Sequence, residues 1–270
     1  MSESNESLID KSARVVVSFF LASAGLWLLV AAALAYVVAA KSTDPTFLGS
    51  CEFLTYGKVK AAQTNAFVYG WASNAVFAVS IWLLARLGQA EVRGRFYLIV
   101  AGAVWNIAIT LGLGGIFAGH MTSSDLMEMP VVVWPALLVS YFVIAAMIFV
   151  LHRSRVKRET YVTQWFVLAS FLWFPALFLV AWQGLELNPG RGTVQSVVSM
   201  WYSQNVIWLW ITPIALGSAY YLIPKILGRP IEKYYLAIFG FWCIAFLAPW
   251  SGLHHLEGGP FPMWIPAIGT

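Results

Sequence analysis

Charged residues are scarce in this sequence. Lysine, arginine, aspartate and glutamate make up 10% of the 270 residues, whereas hydrophobic residues make up 60% and the mean hydropathy is +0.75. A soluble domain contains about 25% charged residues, so the composition excludes a soluble globular chain. It predicts an integral membrane protein, and the net charge of +4 indicates attraction to anionic lipid and no nucleic-acid partner.

Cysteine is scarce as well. Cys51 and Cys243 are the two cysteines, and the predicted topology separates them by about the length of a helix, so we expect no disulfide between them. No C-x-x-C-H motif is present in the sequence, which excludes a covalently attached c-type heme on this chain.

Long apolar runs recur along the chain instead. Each is close to the roughly 20 residues that cross about 30 Å of hydrocarbon, and such runs are helices because lipid leaves no other partner for backbone N–H and C=O groups. We therefore predict an all-α polytopic membrane bundle, forming a single membrane domain over residues 1–270. Its seven windows are Val15–Ala40, Ala66–Ala85, Phe96–Ala118, Val131–Leu151, Trp165–Trp182, Val206–Ile223 and Tyr234–Trp250.

The basic residues predict the orientation. With a cytoplasmic N-terminus, twelve of the sixteen lysines and arginines lie inside, as the positive-inside rule requires. The C-terminus is then outside, and the expected location is the bacterial inner membrane. The first window is interpreted as a helix, because it is longer than the apolar core of a signal peptide and lacks a clear cleavage site.

Several amide side chains fall inside these windows or at their ends. Gln63 and Asn74 belong to the second span and lie 11 residues apart, about three α-helical turns, so we predict that they share a face. Asn106 lies in the third span, and Gln204 and Asn205 lie at the outer end of the sixth. Intramembrane polar residues are functional candidates; the alternative is that they only bond neighbouring helices.

A histidine pair, His254 and His255, lies in the stretch APWSGLHHLEGGPFP, where the seventh window ends. Adjacent helical residues point about 100° apart, so both rings reach one metal only where the helix bends or ends. Pro249 and Gly252 provide that irregularity. Two interpretations stay open: a pair of metal ligands, or two interfacial histidines bonded to water or to loop backbone.

Three motifs resemble a known family. The runs MWYSQNVIWLWITPIALGSAYYLIPK and GRPIEKYYLAIFGFWCIAFLAPWSGLHHLEGGPFPMW resemble the sixth and seventh helices of subunit I of the cbb-class heme-copper cytochrome c oxidases. The run GKVKAAQTNAFVYGWASNAVF resembles that subunit's second helix, whose hallmark is a basic residue, a histidine and then TNA. The resemblance spans essentially all of residues 1–270 and stops where about five further helices of the family would begin. It implies two b-type hemes between helices, one beside a copper ion.

The resemblance also implies roles for individual positions. His254 and His255 fall on two of the three copper ligands, and Gln204 falls on the third. Gln63 falls on the axial histidine of the low-spin heme, and Ala248 falls on the tyrosine beside the copper. An amide lacks the affinity of an imidazole for copper or heme iron, and alanine removes the phenol. We therefore expect no catalytic residues here and no oxygen reduction by this polypeptide alone.

A further hypothesis concerns two tryptophans near Gln204. Trp208 and Trp210 are placed where they would fill space that a heme needs, unless they only pack against lipid.

Three functions follow from these observations. The first is a membrane subunit of a cbb-like respiratory oxidase complex, beside a chain with the missing C-terminal helices and cytochrome c-type subunits. Heme b and copper then belong to the complex, or are absent altogether. The second is a non-catalytic paralogue that serves as a structural or assembly partner. The third is a small transporter or sensor with a polar path through Gln63, Asn74, Gln204 and His254.

Overall fold

The computed structural model describes residues 3–156 and 159–269. This part of the chain contains helices and no strand, which confirms the predicted all-α class. Within the described residues, seven helices are long and apolar enough to cross a membrane, as predicted. The seven spans are Leu8–Thr43, Tyr56–Gly88, Arg95–Ala118, Val131–Arg153, Val162–Leu187, Thr193–Leu227 and Tyr234–Leu256.

Two spans begin ten or more residues earlier than the apolar windows predict. The second begins at Tyr56 rather than Ala66, and the sixth begins at Thr193 rather than Val206. Hydropathy registers only the apolar part of a helix, whereas the polar stretches YGKVKAAQTN and TVQSVVSMWYSQN are α-helical too. Gln63 and Gln204 therefore lie well inside helices and not at their first turn.

Both of these spans change from α-helix to π-helix in mid-course. The π-helical segments are Ala66–Ala72 in the second span and Val206–Ile211 in the sixth. Such segments are rare and often lie at functional sites. The first segment also separates Gln63 from Asn74, so the count of 3.6 residues per turn that put them on one face does not apply across it.

The chain divides into two compact units. Unit 1 contains Met1–Ala13, Val79–Arg93 and Ile148–Thr270, and unit 2 contains Arg14–Ala78 and Gly94–Met147. The predicted single membrane domain stays a prediction.

An aromatic core holds unit 2 together. Phe77 is fully buried, and its ring meets Phe20 and Trp105 edge-on, with centroids 5.4 Å away in each case, a favourable geometry for aromatic pairs. Gly102 allows the first span to approach the third, because a Cβ at this position would lie 2.7 Å from the Phe20 ring.

Unit 1 is built around the fifth, sixth and seventh spans. Phe166 of the fifth span stacks on Tyr220 of the sixth and meets Phe241 of the seventh edge-on, with a centroid distance of 5.3 Å to Phe241. The fifth and sixth spans are also hydrogen bonded, since Thr163 Oγ1 donates to the Gly217 carbonyl at 2.7 Å. This packing positions the outer end of the sixth span beside the histidine turn.

Candidate functional site

The histidine pair lies at the end of the seventh span, after the α-helical part Tyr234–Leu247. The helix ends at Leu247, and two 3₁₀ turns follow, Ala248–Trp250 and Leu253–Leu256. Between them Gly252 adopts a φ of +93°, which favours glycine. The prediction that the helix becomes irregular just before the histidines is confirmed.

Both imidazoles have an oxygen within reach. The rings of His254 and His255 lie 4.0 Å apart with an interplanar angle of 40°. Nδ1 of His254 is 3.1 Å from the carbonyl oxygen of Gly269, and Nε2 of His255 is 3.4 Å from Oε1 of Gln204. Since both partners are acceptors, each of these ring nitrogens must carry the proton for a hydrogen bond to form.

Three segments meet around this pair. The histidine turn packs on the sixth span, because a Cβ at Gly252 would lie 2.7 Å from Gln204 Cβ and 2.8 Å from the Met200 carbonyl oxygen. Trp201 Nε1 of the same span donates to the Pro249 carbonyl at 2.9 Å. The terminal helix Trp264–Gly269 completes the arrangement through the Gly269 contact with His254.

The side chains around the pair do not fit the three-histidine copper site that the resemblance implies. The described residues contain no group of three or more His, Cys, Asp or Glu side chains that could hold a metal. At the third position the structure has the amide of Gln204, whose oxygen faces His255. Imidazole and thiolate are the ligands that suit copper, whereas an amide oxygen suits harder cations. The assignment of His254 and His255 as copper ligands stays a prediction.

The other substituted positions also lack the implied chemistry. Gln63 is half-buried in unit 2 and presents an amide, which is not among the axial ligands that hold heme iron. Ala248 is buried and lines a cavity of about 580 Å³ together with Trp208, Cys243 and Ser251. The chain therefore has a methyl group beside this cavity where the resemblance implies a phenol.

The two tryptophans have different surroundings. Trp210 is fully buried, with its ring 4.0 Å from that of Phe174, so it belongs to the packing between the fifth and sixth spans. Trp208 is 42% exposed and lines the cavity beside Ala248. Of the two, only Trp208 is therefore placed to fill that cavity.

Amides in unit 2 bond neighbouring spans, as their alternative interpretation predicts. Trp27 Nε1 of the first span donates to Asn106 Oδ1 of the third at 2.7 Å. Asn74 Nδ2 of the second span donates to the same oxygen at 3.0 Å, and Asn106 Nδ2 donates back to Asn74 Oδ1 at 3.2 Å. These side chains form an intramembrane network of helix contacts.

A second polar pair in unit 2 was not predicted from the sequence. Asn65 is fully buried, and its Nδ2 donates to the Ala61 carbonyl at 2.8 Å and to Glu128 Oε2 at 2.7 Å. Burial raises the pKa of Glu128 to about 7, although the hydrogen bond from Asn65 lowers it. A sequence signal exists, since this acid stands in the apolar context LMEMPVVVW.

Comparisons with known proteins agree with the motifs. A family model described as Cytochrome C and Quinol oxidase polypeptide I matches residues 15–270. The Cbb3-type cytochrome c oxidase subunit CcoN1 of Stutzerimonas stutzeri is 26% identical over 265 residues, covering 94% of this chain and 55% of that protein. A cytochrome c oxidase subunit 1 homolog of Azorhizobium caulinodans is 24% identical over 270 residues, covering 90% of this chain and 46% of that protein.

The chain spans about half the length of the curated relatives it matches. Its seven apolar helices and its bacterial relatives make it a multi-pass membrane protein. The match covers far more than the second, sixth and seventh helices that carry the resemblance. The chain belongs to the family of cytochrome c and quinol oxidase polypeptide I, with cbb3-type subunits among its relatives.

Proposed function

We propose that this chain is a membrane subunit of a cbb-like heme-copper respiratory oxidase complex and that it does not itself reduce oxygen. Membership of the oxidase family supports the first part. The observation that carries the second part is the Gln204 amide facing His255, at the position where the resemblance implies a third copper histidine.

In this proposal the histidine pair is a hydrogen-bonded joint. His255 Nε2–H donates to Gln204, and His254 Nδ1–H donates to the Gly269 carbonyl. The two bonds tie the histidine turn to the sixth span on one side and to the terminal helix on the other. One nitrogen of each imidazole is then a donor. Because the second nitrogen is still available as an acceptor, it is the Gln204 amide at the third position that disfavours copper.

The cofactors belong to the complex. Where they are present, heme b and copper provide electron transfer and oxygen chemistry. In this proposal His254 and His255 are not copper ligands, and a copper ion of the complex is held by its other chains. The partners that we propose are a chain with further membrane helices and cytochrome c-type subunits.

The proposed setting is the bacterial inner membrane, with the N-terminus in the cytoplasm and the C-terminus outside. The distribution of lysine and arginine supports this orientation. It places the histidine joint at the outer face, together with Gln204.

A second candidate is a purely structural or assembly partner of such an oxidase. The observation that favours it is the same joint, because both imidazoles have a hydrogen-bond acceptor within reach in the absence of any other chain. The two candidates differ in whether heme-containing subunits accompany the chain in its finished complex.

The test is a reduced-minus-oxidised absorption spectrum with copper and iron analysis. The protein is purified gently from its native membranes with whatever co-purifies, and the same measurements are repeated on the chain after its partners are removed. A membrane subunit predicts heme b bands in the complex and no stoichiometric heme or copper on the separated chain.

Two other results are informative. Heme-free material without oxidase subunits would favour the assembly role. Stoichiometric copper and heme on the separated chain would contradict the claim that it cannot reduce oxygen alone. The double variant His254→Ala, His255→Ala is the control, because loss of the joint leaves the heme content of the complex unchanged if these residues hold no cofactor.

A further inference from the structure

The connection between the third and fourth spans, residues 119–130, is internally fixed. The Thr122 N–H donates to the Glu128 carbonyl at 3.1 Å, and Thr122 Oγ1 donates to the Met127 carbonyl at 2.7 Å. Trp134 Nε1 of the fourth span donates to the Met129 carbonyl at 2.9 Å. In this structure these three hydrogen bonds hold the connection in one conformation.

Two hydrogen bonds fasten this connection to the second span. Asn65 Nδ2 donates to Glu128 Oε2 at 2.7 Å, and the Tyr69 hydroxyl donates to the Leu126 carbonyl at 2.6 Å. Asn65 and Tyr69 are both fully buried, and they lie where the α-helix gives way to the π-helical segment. The connection thus covers the second span at Asn65 and Tyr69, where its α-helical part meets its π-helical part.

Among the acids whose burial the structure describes, Glu128 is unusual because it is buried. Its residue is only 9% exposed, and no cation pairs with it in the described ranges. Asp125 of the same connection is exposed, and its negative charge raises the pKa of Glu128 further.

No basic group of the neighbouring elements is paired with the Glu128 carboxyl in the described residues, although Lys58 Nζ lies beside Gly119 at the start of the connection. Lys58 Nζ of the second span donates to the Glu52 carbonyl at 3.0 Å. Lys60 and His120, at the ends of the second and third spans, are exposed. The one donor that the structure gives to the Glu128 carboxyl from another element is therefore the neutral amide of Asn65.

We infer that Glu128 is a proton-dependent latch, which holds the 119–130 connection over the second span while the carboxyl is neutral and releases it when the carboxyl ionises. A neutral acid still accepts the Asn65 hydrogen bond without the cost of burying an unpaired charge. Release admits water to Asn65, whose Oδ1 is buried without a hydrogen-bond partner in the closed form. The inference is independent of the proposed oxidase role.

The direction of the pH dependence follows from the raised pKa. In the open form the hydrated carboxyl ionises near 4.5, whereas in the closed form it ionises at about 7. The closed form is therefore most stable below pH 4.5 and loses stability as the pH rises to about 7. Across that interval the opening constant increases by up to roughly 300-fold, and above it the constant is flat.

Hydrogen–deuterium exchange on the full chain in lipid nanodiscs tests the latch. The reporters are the amides of Thr122 and Met127, whose hydrogen bonds to the Glu128 and Ser124 carbonyls we expect to break when the connection is released. After correction for intrinsic exchange, we expect opening to increase with pH in the native chain and to be independent of pH in Glu128→Gln. Asp125→Asn is the matched control, since it removes an exposed acid of the same connection and should keep most of the pH dependence.

Two results would overturn the inference: pH-independent opening in the native chain, or an unchanged pH dependence in Glu128→Gln. If Glu128→Gln does not fold, infrared spectroscopy of the native chain decides. A protonated carboxylic C=O band that titrates near neutral pH and shifts in Asn65→Ala supports the latch, and the absence of such a band contradicts it.

Discussion

The second span in unit 2 and the sixth span in unit 1 carry the same local device in different surroundings. Each has a glutamine followed closely by a buried asparagine, Asn65 or Asn205, and then a π-helical segment. Each asparagine donates its Nδ2 to the carbonyl four residues earlier at 2.8 Å. The local sequence thus accounts for the asparagine bond that precedes each π-helical segment. The neighbouring elements determine which other groups the polar side chains bond.

The surroundings differ in how polar groups are paired. In unit 2 the amides bond other spans or the connection above them, through short contacts to Trp27 and Glu128. In unit 1 the outer polar groups meet through the longer 3.1 and 3.4 Å contacts of the histidine pair. The polar contacts of unit 2 are therefore shorter than those of the histidine pair in unit 1.

The largest effect that tests this comparison is expected from Asn106→Leu. The substitution leaves Trp27 Nε1 and Asn74 Oδ1 without their partners, although Asn74 Nδ2 keeps its bond to the Gly70 carbonyl. Unpaired buried polar groups cost about 1–3 kcal/mol each. We expect the free energy of unfolding to fall by about 3 kcal/mol, measured by denaturant unfolding of the full chain in mixed micelles.

Thr110→Val is the control for this substitution, because the Thr110 hydroxyl bonds only the carbonyl of Asn106 in its own helix. A similar loss of stability in both variants would mean that the network contributes nothing beyond local helix bonds.

A smaller effect is expected from Gly252→Ala in unit 1. An L-residue in the left-handed region costs about 1–2 kcal/mol, and here the new Cβ also meets Gln204 and Met200. Gly258→Ala is the matched control, because Gly258 has a φ of +81° and no neighbour within 4 Å of the added Cβ. We expect losses of about 2 kcal/mol and about 1 kcal/mol, respectively, from thermal unfolding.

Equal losses at the two glycines would contradict close packing of the histidine turn on the sixth span. They would also weaken the proposed joint, because Gln204 is the residue that both Gly252 and His255 approach.

Most of the fold could be predicted from the sequence. Seven apolar windows identify seven spans, since the length and hydropathy of a membrane helix follow directly from the hydrocarbon thickness. The windows fail at Tyr56–Asn65 and Thr193–Asn205, where polar turns continue a helix. The π-helical segments were also missed, because a count of 3.6 residues per turn assumes that the helix is regular.

The candidate site was predictable only in part. Family motifs identify Gln204, His254 and His255, but not that Gly269 provides an acceptor for His254. The pair of Asn65 and Glu128 was missed because its members are 63 residues apart, and because acids between spans are normally solvated. Long-range pairing of this kind depends on tertiary structure, which a single sequence pattern does not encode.

The most direct test of the central claim is copper binding by the purified chain and by Gln204→His. Three imidazoles suit copper, whereas two imidazoles and an amide do not. We therefore predict weak copper binding by the native chain and at least a tenfold tighter dissociation constant in Gln204→His, equivalent to about 1.4 kcal/mol. Stoichiometric, tight copper on the native chain that His255→Ala abolishes would contradict the claim that the histidine pair is a structural joint.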